Sequence, residues 1–358
     1  MAYFDILLPV KNGAAYLAEA LASIRAQTFT DWRLLVLDHG STDRTLDIAQ
    51  AHALEDARIR IHSLPDARGL SGLLNAGLDL CDANYVVRHD ADDIALPERL
   101  RHTQAGFAAH PAMVAIGGQL TNFDDQGRTL RQHPLPTEPG RIAAAMLFCN
   151  PVAHPTVAMR LDRLQALGAR YGVEFGAGQP ARPAPEFGNL VEDYFLFGQL
   201  ALLGLVANLP QQLIRYRVHP GGVGRQKFAA QMAASQNVSL HLAERLRGMA
   251  GTARFDPTPF CNHGGILFDL GEERTDFSPE FEAVRTALLR MDAHPAQVRR
   301  ELRYRQILAN RSRAVMLARY ALFRSLHRPM MNEETTIKLH LLGRKGPQAQ
   351  RLPAPAAV

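Results

Sequence analysis

Residues 4 to 38 read FDILLPVKNGAAYLAEALASIRAQTFTDWRLLVLD. Phe4–Val10 and Trp32–Asp38 are nearly continuous in apolar residues, the pattern of strands covered on both faces. Between them, residues 14–26 carry apolar side chains at helical spacing. The unit then repeats. Runs at 58–62 and 85–89 read as further strands, and segments 43–53 and 70–80 as further helices, the former entered through Ser41-Thr42-Asp43, residue types that cap helix N-termini. The order βαβαβαβ predicts an α/β fold: a parallel sheet with right-handed crossovers and helices on both faces. Ligands of such sheets bind outside the carboxyl ends of the strands. Four polar clusters stand at those ends, at 9–13, 38–43, 65–69 and 90–93, so four strand ends converge on one crevice.

The 358 residues, 47% hydrophobic and 21% charged, suffice for one large domain with a substantial extension. No apolar run approaches the ~20 residues that span a bilayer. The longest, 196–209, is broken by Gly198, Gln199, Gly204 and Asn208. Asp5 stands where a secretory leader would have a basic start, so the N-terminus reads as a strand. Cys81, Cys149 and Cys261 form no CxxC pair, which fits a reducing compartment. The expected location is cytoplasmic, with peripheral attachment to the inner face of the membrane as its variant.

Beyond Pro97 the pattern is mixed: a helix to His110, a strand at 113–118, and irregular stretches after it. Residues 172–188, rich in Gly, Pro and Ala, read as a mobile loop. Val191-Glu192-Asp193-Tyr194 opens a helical pattern. After Gly224 the chain is mainly helical with a break at 257–265, and the Pro/Ala tail from Pro347 reads as disordered. The domain expectation is therefore 1–224 for the α/β domain, 225–346 for a helical extension and 347–358 for a tail.

The formal charge is +5, yet Arg299, Arg300, Arg303, Arg305, Arg311, Arg313, Arg319, Arg324 and Arg328 fall in a stretch, 297–328, whose sole acid is Glu301. Leu302, Ile307, Leu308, Val315, Met316, Leu317 and Leu322 interleave with them, as in an amphipathic helix. One reading is a solvated helical face packed on the main domain. The other is contact with an anionic membrane. Nucleic acid is not expected, since no recognised motif or aromatic interleaving accompanies the charge.

Asp90-Ala91-Asp92-Asp93 crowds three carboxylates into four residues at the end of a buried strand. Their repulsion calls for a cation or a helix N-terminus, and hard oxygen ligands favour Mg²⁺ or Mn²⁺. Alone, such a triplet is also a solvated turn with helix caps, since Pro97-Glu98-Arg99 soon starts a helix. Its place after a fourth parallel strand favours the metal. Neither GxxxxGK[ST] nor GxGxxG follows the first strand, so a bound diphosphate would be held through a metal instead.

The series Ile6-Leu7-Leu8-Pro9-Val10-Lys11-Asn12-Gly13, Ser23-Ile24-Arg25-Ala26-Gln27-Thr28, Leu37-Asp38-His39-Gly40-Ser41-Thr42-Asp43 and Asp90 to Leu100 resembles the family 2 glycosyltransferases of GT-A fold. The likeness continues through Asn150-Pro151, His154-Pro155-Thr156, Glu192-Asp193-Tyr194 and Tyr216-Arg217-Val218-His219, covering residues 3 to 224 in order. It implies a Rossmann-like nucleotide-sugar-binding fold with a mixed central sheet, followed by the mainly helical extension. It also implies an inverting enzyme that moves a sugar from a nucleoside-diphosphate sugar to a glycan or lipid-linked acceptor, as in surface polysaccharide assembly.

Residue by residue, the resemblance implies that Asp92 coordinates the Mn²⁺ or Mg²⁺ bridging the donor diphosphate, that Asp90 contacts ribose or metal, and that Asp93 supports the loop. Asp193 matches the family's catalytic base, which must lie within hydrogen-bond reach of the acceptor hydroxyl. Glu192 is its structural or acceptor-orienting partner, or the pair simply favours a helix N-terminus. His219 is either a third metal ligand or a phosphate donor, His154 shapes the acceptor side, and Pro9, Val10, Asn12, Asp38, His39, Arg68 and Asn75 line the donor. Two positions depart from the pattern. Lys11 stands where an aromatic residue is common and His39 where an Asp is, and both face the nucleobase. An acid there accepts the imide N–H of uracil, whereas neutral His donates or accepts through either nitrogen. A UDP-sugar is the expected donor.

Two competing readings are a nucleotidyltransferase, disfavoured because such chains open on a Gly-rich loop, and a non-catalytic binding module, disfavoured by the joint presence of Asp92, Asp193 and His219.

Overall fold

The computed structural model describes residues 2–130, 134–176, 179–183, 190–222, 227–261, 277–309 and 312–341. The chain divides into two compact units: 1–132, 152–196 and 207–222 form the first, and 133–151, 197–206 and 223–358 the second.

The first unit is built on the strands β1 (Phe4–Val10), β2 (Trp32–Asp38), β3 (Ile59–Ser63), β4 (Tyr85–Arg88), β5 (Ile94–Ala95), β6 (Ala115–Phe123), β7 (Ala158–Arg160) and β10 (Val206–Arg217). Their order is β3-β2-β1-β4-β7-β6-β10-β5. The first four pair in parallel, as the βα repeat predicts, whereas β4–β7, β6–β7 and β10–β5 are antiparallel, so the sheet is mixed. Every residue of β1 is buried. The carboxylate of Asp5 at its base accepts Arg33 Nε and Nη2 at 2.7 Å and the backbone N–H groups of Asp82 and Ala83. A buried charge paired and hydrogen-bonded in this way is tolerated in a strand.

The helices α1 (Leu17–Arg25), α2 (Thr45–Glu55), α3 (Gly69–Leu80) and α4 (Arg99–Ala109) fall between the strands. Helix α3 lies so close to the sheet that a Cβ on Gly77 would come within 2.5 Å of Leu37 Cδ1 and 3.1 Å of Leu7 Cδ2. The predicted mobile loop at 172–188 is corrected in part. Val173–Gly176 (β8) and Gln179–Pro183 (β9) pair antiparallel, and Phe175 is buried. Gly and Pro density masked this short pairing in the sequence. Residues 177–178 and 184–189 lie outside the described residues, as does the predicted tail. Among the described residues no helix is long and apolar enough to cross a membrane.

In the second unit the arginine-rich stretch is two helices, Pro295–Leu308 and Arg313–Leu326, followed by a third, Met331–Leu341. Arg300 and Arg305 are spent internally. Arg300 forks onto Glu333 at 2.7 Å, Arg305 donates to Glu301 at 3.0 Å, and Arg141 bridges Glu301 at 3.2 Å and Glu333 at 3.0 Å. These guanidinium groups hold the Glu301 carboxyl below the usual range despite burial that pushes it up. Glu301→Ala would leave two buried guanidinium groups short of a partner, and about 3–5 kcal/mol of destabilisation is expected in urea unfolding followed by circular dichroism.

Candidate active site

The end of β1 is latched to the end of β2. Asn12, at φ +53°, donates its N–H to Ser41 Oγ (2.9 Å), and its Oδ1 accepts the Thr42 N–H (2.8 Å). The left-handed backbone there suits Asn, whose short polar side chain bonds locally. Gly13 N–H donates to Thr45 Oγ1 (2.8 Å) and Ala14 N–H to Asp43 (3.1 Å), while Asp43 also accepts the Thr45 N–H at the start of α2. Asp43 thus ties the entry of α2 to the loop after β1, while the N-cap position itself is Arg44, which makes no side-chain capping bond. Buried Asp38 accepts the N–H groups of Gly40 and Ser41.

His39 N–H donates to Val10 O (2.9 Å), and its Nε2 lies 2.8 Å from Ala67 O. A carbonyl only accepts, so Nε2 carries the proton, and in the neutral ring Nδ1 is an acceptor. Pro9 and Val10 are buried at the strand end, and Arg68 is exposed just before α3. Asn75 has a bracing role in the structure. Its Nδ2 donates to Tyr171 O (2.9 Å) and its Oδ1 accepts the Tyr171 N–H (3.1 Å), so the amide braces that backbone.

Asp90, Asp92 and Asp93 offer oxygens that all lie within 4.8 Å of one another. Strand β5 follows immediately and pairs with β10, Ala95 opposite Ile214 and Ile94 opposite Arg215. Continuing this antiparallel register sets Arg217 against Asp92 and brings His219 alongside. His219 Nε2 stands 3.0 Å from Asp92 Oδ2, with the Tyr16 ring edge-on to it at 4.8 Å. Arg217 donates its N–H to Asp93 (2.9 Å) and its Nε to Asp92 O (2.9 Å), and also pairs with Glu19.

Burial, then the neighbouring Asp90, raises the carboxyls of Asp92 and Asp93 above the ordinary range. Asp93 Oδ2 is buried without a hydrogen-bond partner among the described residues. Crowded, desolvated oxygens with an imidazole beside them fit a hard divalent cation. The residues able to hold it are Asp90, Asp92, Asp93 and His219.

Arg88 escaped the sequence reading. This buried residue, on a strand otherwise apolar, pairs with Asp90 Oδ1 at 2.6 Å, and its charge also lowers Glu192 and Asp193. A charged residue closing a buried strand was the available signal. Below it, Arg99 donates to Pro155 O at 2.7 Å, and its Nη1 lies 2.8 Å from His89 Nδ1. The guanidinium can only donate, which fixes Nδ1 of His89 as the acceptor, and burial followed by Arg99 holds that ring neutral.

Glu192 and Asp193 open the helix Glu192–Leu202 (α7). Burial is the first cause raising both: Asp193 is pushed up to about 6, against the opposing backbone N–H groups, and Glu192 up to about 8, with Asp193 the next contributor. His154, buried and kept neutral, has Nε2 2.9 Å from Tyr171 Oη and Nδ1 3.9 Å from Glu192. The geometry therefore brings the acidic triplet, His219, Arg88, and the Glu192–Asp193 pair into one electrostatic neighbourhood.

Residues 5–164 match the family described as Glycosyl transferase family 2. An uncharacterized glycosyltransferase of Haemophilus influenzae is 28% identical over 251 residues, 66% of this chain and 74% of its own. The amylovoran biosynthesis glycosyltransferase AmsE of Erwinia amylovora is 28% identical over 227 residues, 63% of this chain and 79% of its own. Among solved structures, S. aureus TarS aligns with a TM-score of 0.51 at 20% identity, over 94% of this chain and 55% of that one, a likeness of fold. The strand ends described above carry their motifs in the order that the resemblance implies, and residues 5–164, somewhat under half of the chain, match the family 2 glycosyltransferases, with a fold like that of TarS.

Proposed function

We propose that the chain transfers a sugar from a UDP-sugar to a hydroxyl of a glycan or lipid-linked acceptor, with inversion, in the assembly of a surface polysaccharide. The observation that carries this reading is Arg88, which pairs with Asp90 of the acidic triplet and acts on the Asp193 carboxyl, so that one buried charge joins the donor and acceptor sides. Asp92, with Asp90 and His219 beside it, would hold a Mn²⁺ or Mg²⁺, which would supply positive charge to a leaving nucleoside diphosphate. Asp193 takes the acceptor proton while the acceptor oxygen attacks the anomeric carbon, and Arg88 keeps the carboxylates around it ionisable. The name of AmsE supports a polysaccharide product.

His39 supports uracil as the base. With Nε2–H given to Ala67 O, Nδ1 offers the lone pair that an imide N–H requires. The test is a screen of nucleotide-sugars with Mn²⁺ or Mg²⁺, with and without glycan and lipid-linked acceptors. Release of UDP is expected, release of pyrophosphate would replace this reading with nucleotidyl transfer, and tighter binding of GDP than UDP would overturn the base assignment.

The carboxyl pair sets the pH dependence. Burial raises Asp193 to about 6 and Glu192 to about 8, so Asp193 is the carboxyl of the pair that ionises first as the pH rises. Asp193 accepts a proton only when ionised, so kcat is expected to fall about tenfold per unit as the pH drops below about 6, read from a pH–rate profile at saturating substrates.

A further inference from the structure

The helix Arg313–Leu326 buries Met316, Tyr320 and Phe323, which lie along one side of it. At about 100° per residue the opposite side carries Ala314, Ala318, Ala321, Leu322 and Ser325, all exposed. Leu317, Leu322 and Leu326 are 54%, 56% and 51% exposed. A helix whose outer face is this apolar lacks the polar side that a solvated helix presents to water. Arg313 and Arg324 flank the face on one edge and Arg328 follows its end, all three exposed, with Arg324 5.8 Å from the Tyr320 ring and its charge also felt by Glu334. The nearby acid Glu334 is taken up by Lys338 at 3.1 Å and the Tyr320 hydroxyl at 3.2 Å.

At the C-terminal end of the helix an open hollow of about 420 Å³ is lined by Arg324, Ser325, Leu326, His327, Arg328 and Pro329. Two cations beside a leucine and a proline offer a phosphate and an acyl-chain boundary what each requires.

We infer that this helix lies in the surface of an anionic lipid bilayer, with Leu322 and the alanines of the outer side entering the acyl boundary, Leu317 and Leu326 at its two edges, Arg313 and Arg324 among the headgroups, and the 324–329 hollow taking a lipid phosphate. The chemistry matches an in-plane helix: apolar on one side, cationic at its edge, with no acid anywhere along it. A second copy of the chain fits less well, because a two-fold pairing of this face sets Arg313 and Arg324 near their own copies. Nucleic acid leaves the leucines without a role. The helix Pro295–Leu308 buries Leu302, Ile307 and Leu308, and the inference therefore concerns Arg313–Leu326 alone.

The test uses the full chain and vesicles of phosphatidylcholine with or without phosphatidylglycerol. The parent is expected to co-sediment with the mixed vesicles and not with pure phosphatidylcholine, with salt weakening the binding. Arg313→Gln with Arg324→Gln is expected to weaken partitioning about thirtyfold, from about fivefold for each arginine near an anionic surface. Leu317→Ser with Leu322→Ser is expected to weaken it at least about tenfold.

Trp32, the only tryptophan, is buried, so Leu322→Trp gives a clean reporter whose emission should shift to the blue on mixed vesicles. Absence of co-sedimentation together with absence of that shift overturns the inference. So does a dimer in sedimentation velocity that the leucine substitutions dissolve. None of these readouts depends on sugar transfer, so the inference can fail while the transferase reading stands.

Discussion

Asp193→Asn is expected to lower kcat by about a hundredfold to ten-thousandfold while leaving metal-dependent UDP binding close to that of the parent. The substitution keeps the size and planar shape of the side chain at the first turn of α7 and removes only its capacity to take a proton. The surroundings argue that this capacity is what the site is built for. Burial raises Asp193 towards neutrality, the backbone N–H groups and Arg88 pull it back, and Glu192 beside it is raised by burial and by Asp193. Loss of transfer with unchanged KM for the donor is the signature of a group that acts on the reacting acceptor. Transfer at the parental rate would remove Asp193 from the role and direct attention to Glu192.

Asp92→Ala is expected to abolish the Mn²⁺ dependence of UDP binding and to lower kcat/KM by about three orders of magnitude, since the charge a metal contributes to a leaving phosphate is worth several kcal/mol. Calorimetric titration of UDP with and without Mn²⁺ measures the first effect, and released UDP the second. Asp92 suits this test better than its neighbours. Asp93 accepts the Arg217 N–H, and Asp90 neutralises buried Arg88, so changing either disturbs the fold as well as the site. The Asp92 side chain hydrogen-bonds His219, at 3.0 Å, on the rim of the site, and circular dichroism should therefore match the parent. Unchanged Mn²⁺ dependence would sink the assignment.

The sequence was most legible where one physical signal dominated. Phe4–Val10 and Trp32–Asp38 form over the bounds their apolar runs suggest, because strands buried on both faces have no polar interruption. The parallel half of the sheet followed from them. The antiparallel half did not, since β5 is only two residues long and carries no readable period.

Within the site, Asp92 and His219 could be paired only by resemblance, for their meeting depends on that same short strand. Asn75 and Arg88 show two roles that the order of residues hides. A polar side chain on a helix facing the crevice can be consumed by backbone, as Asn75 is by Tyr171. A charge inside an apolar strand can serve the site from beneath, as Arg88 does. Neither outcome leaves a pattern along the chain, because both depend on partners far apart in sequence.

The ladder between Ile94–Ala95 and Ile214–Arg215 works as a gauge. A strand turns successive side chains to opposite sides, so one residue inserted into the lower part of β10 and absorbed by slippage would swing His219 away from Asp92 and offer Val218 in its place. The spacing along β10 is then a setting, and lengthening it by one residue detunes the acidic crevice while a two-residue change restores its handedness one step out of reach.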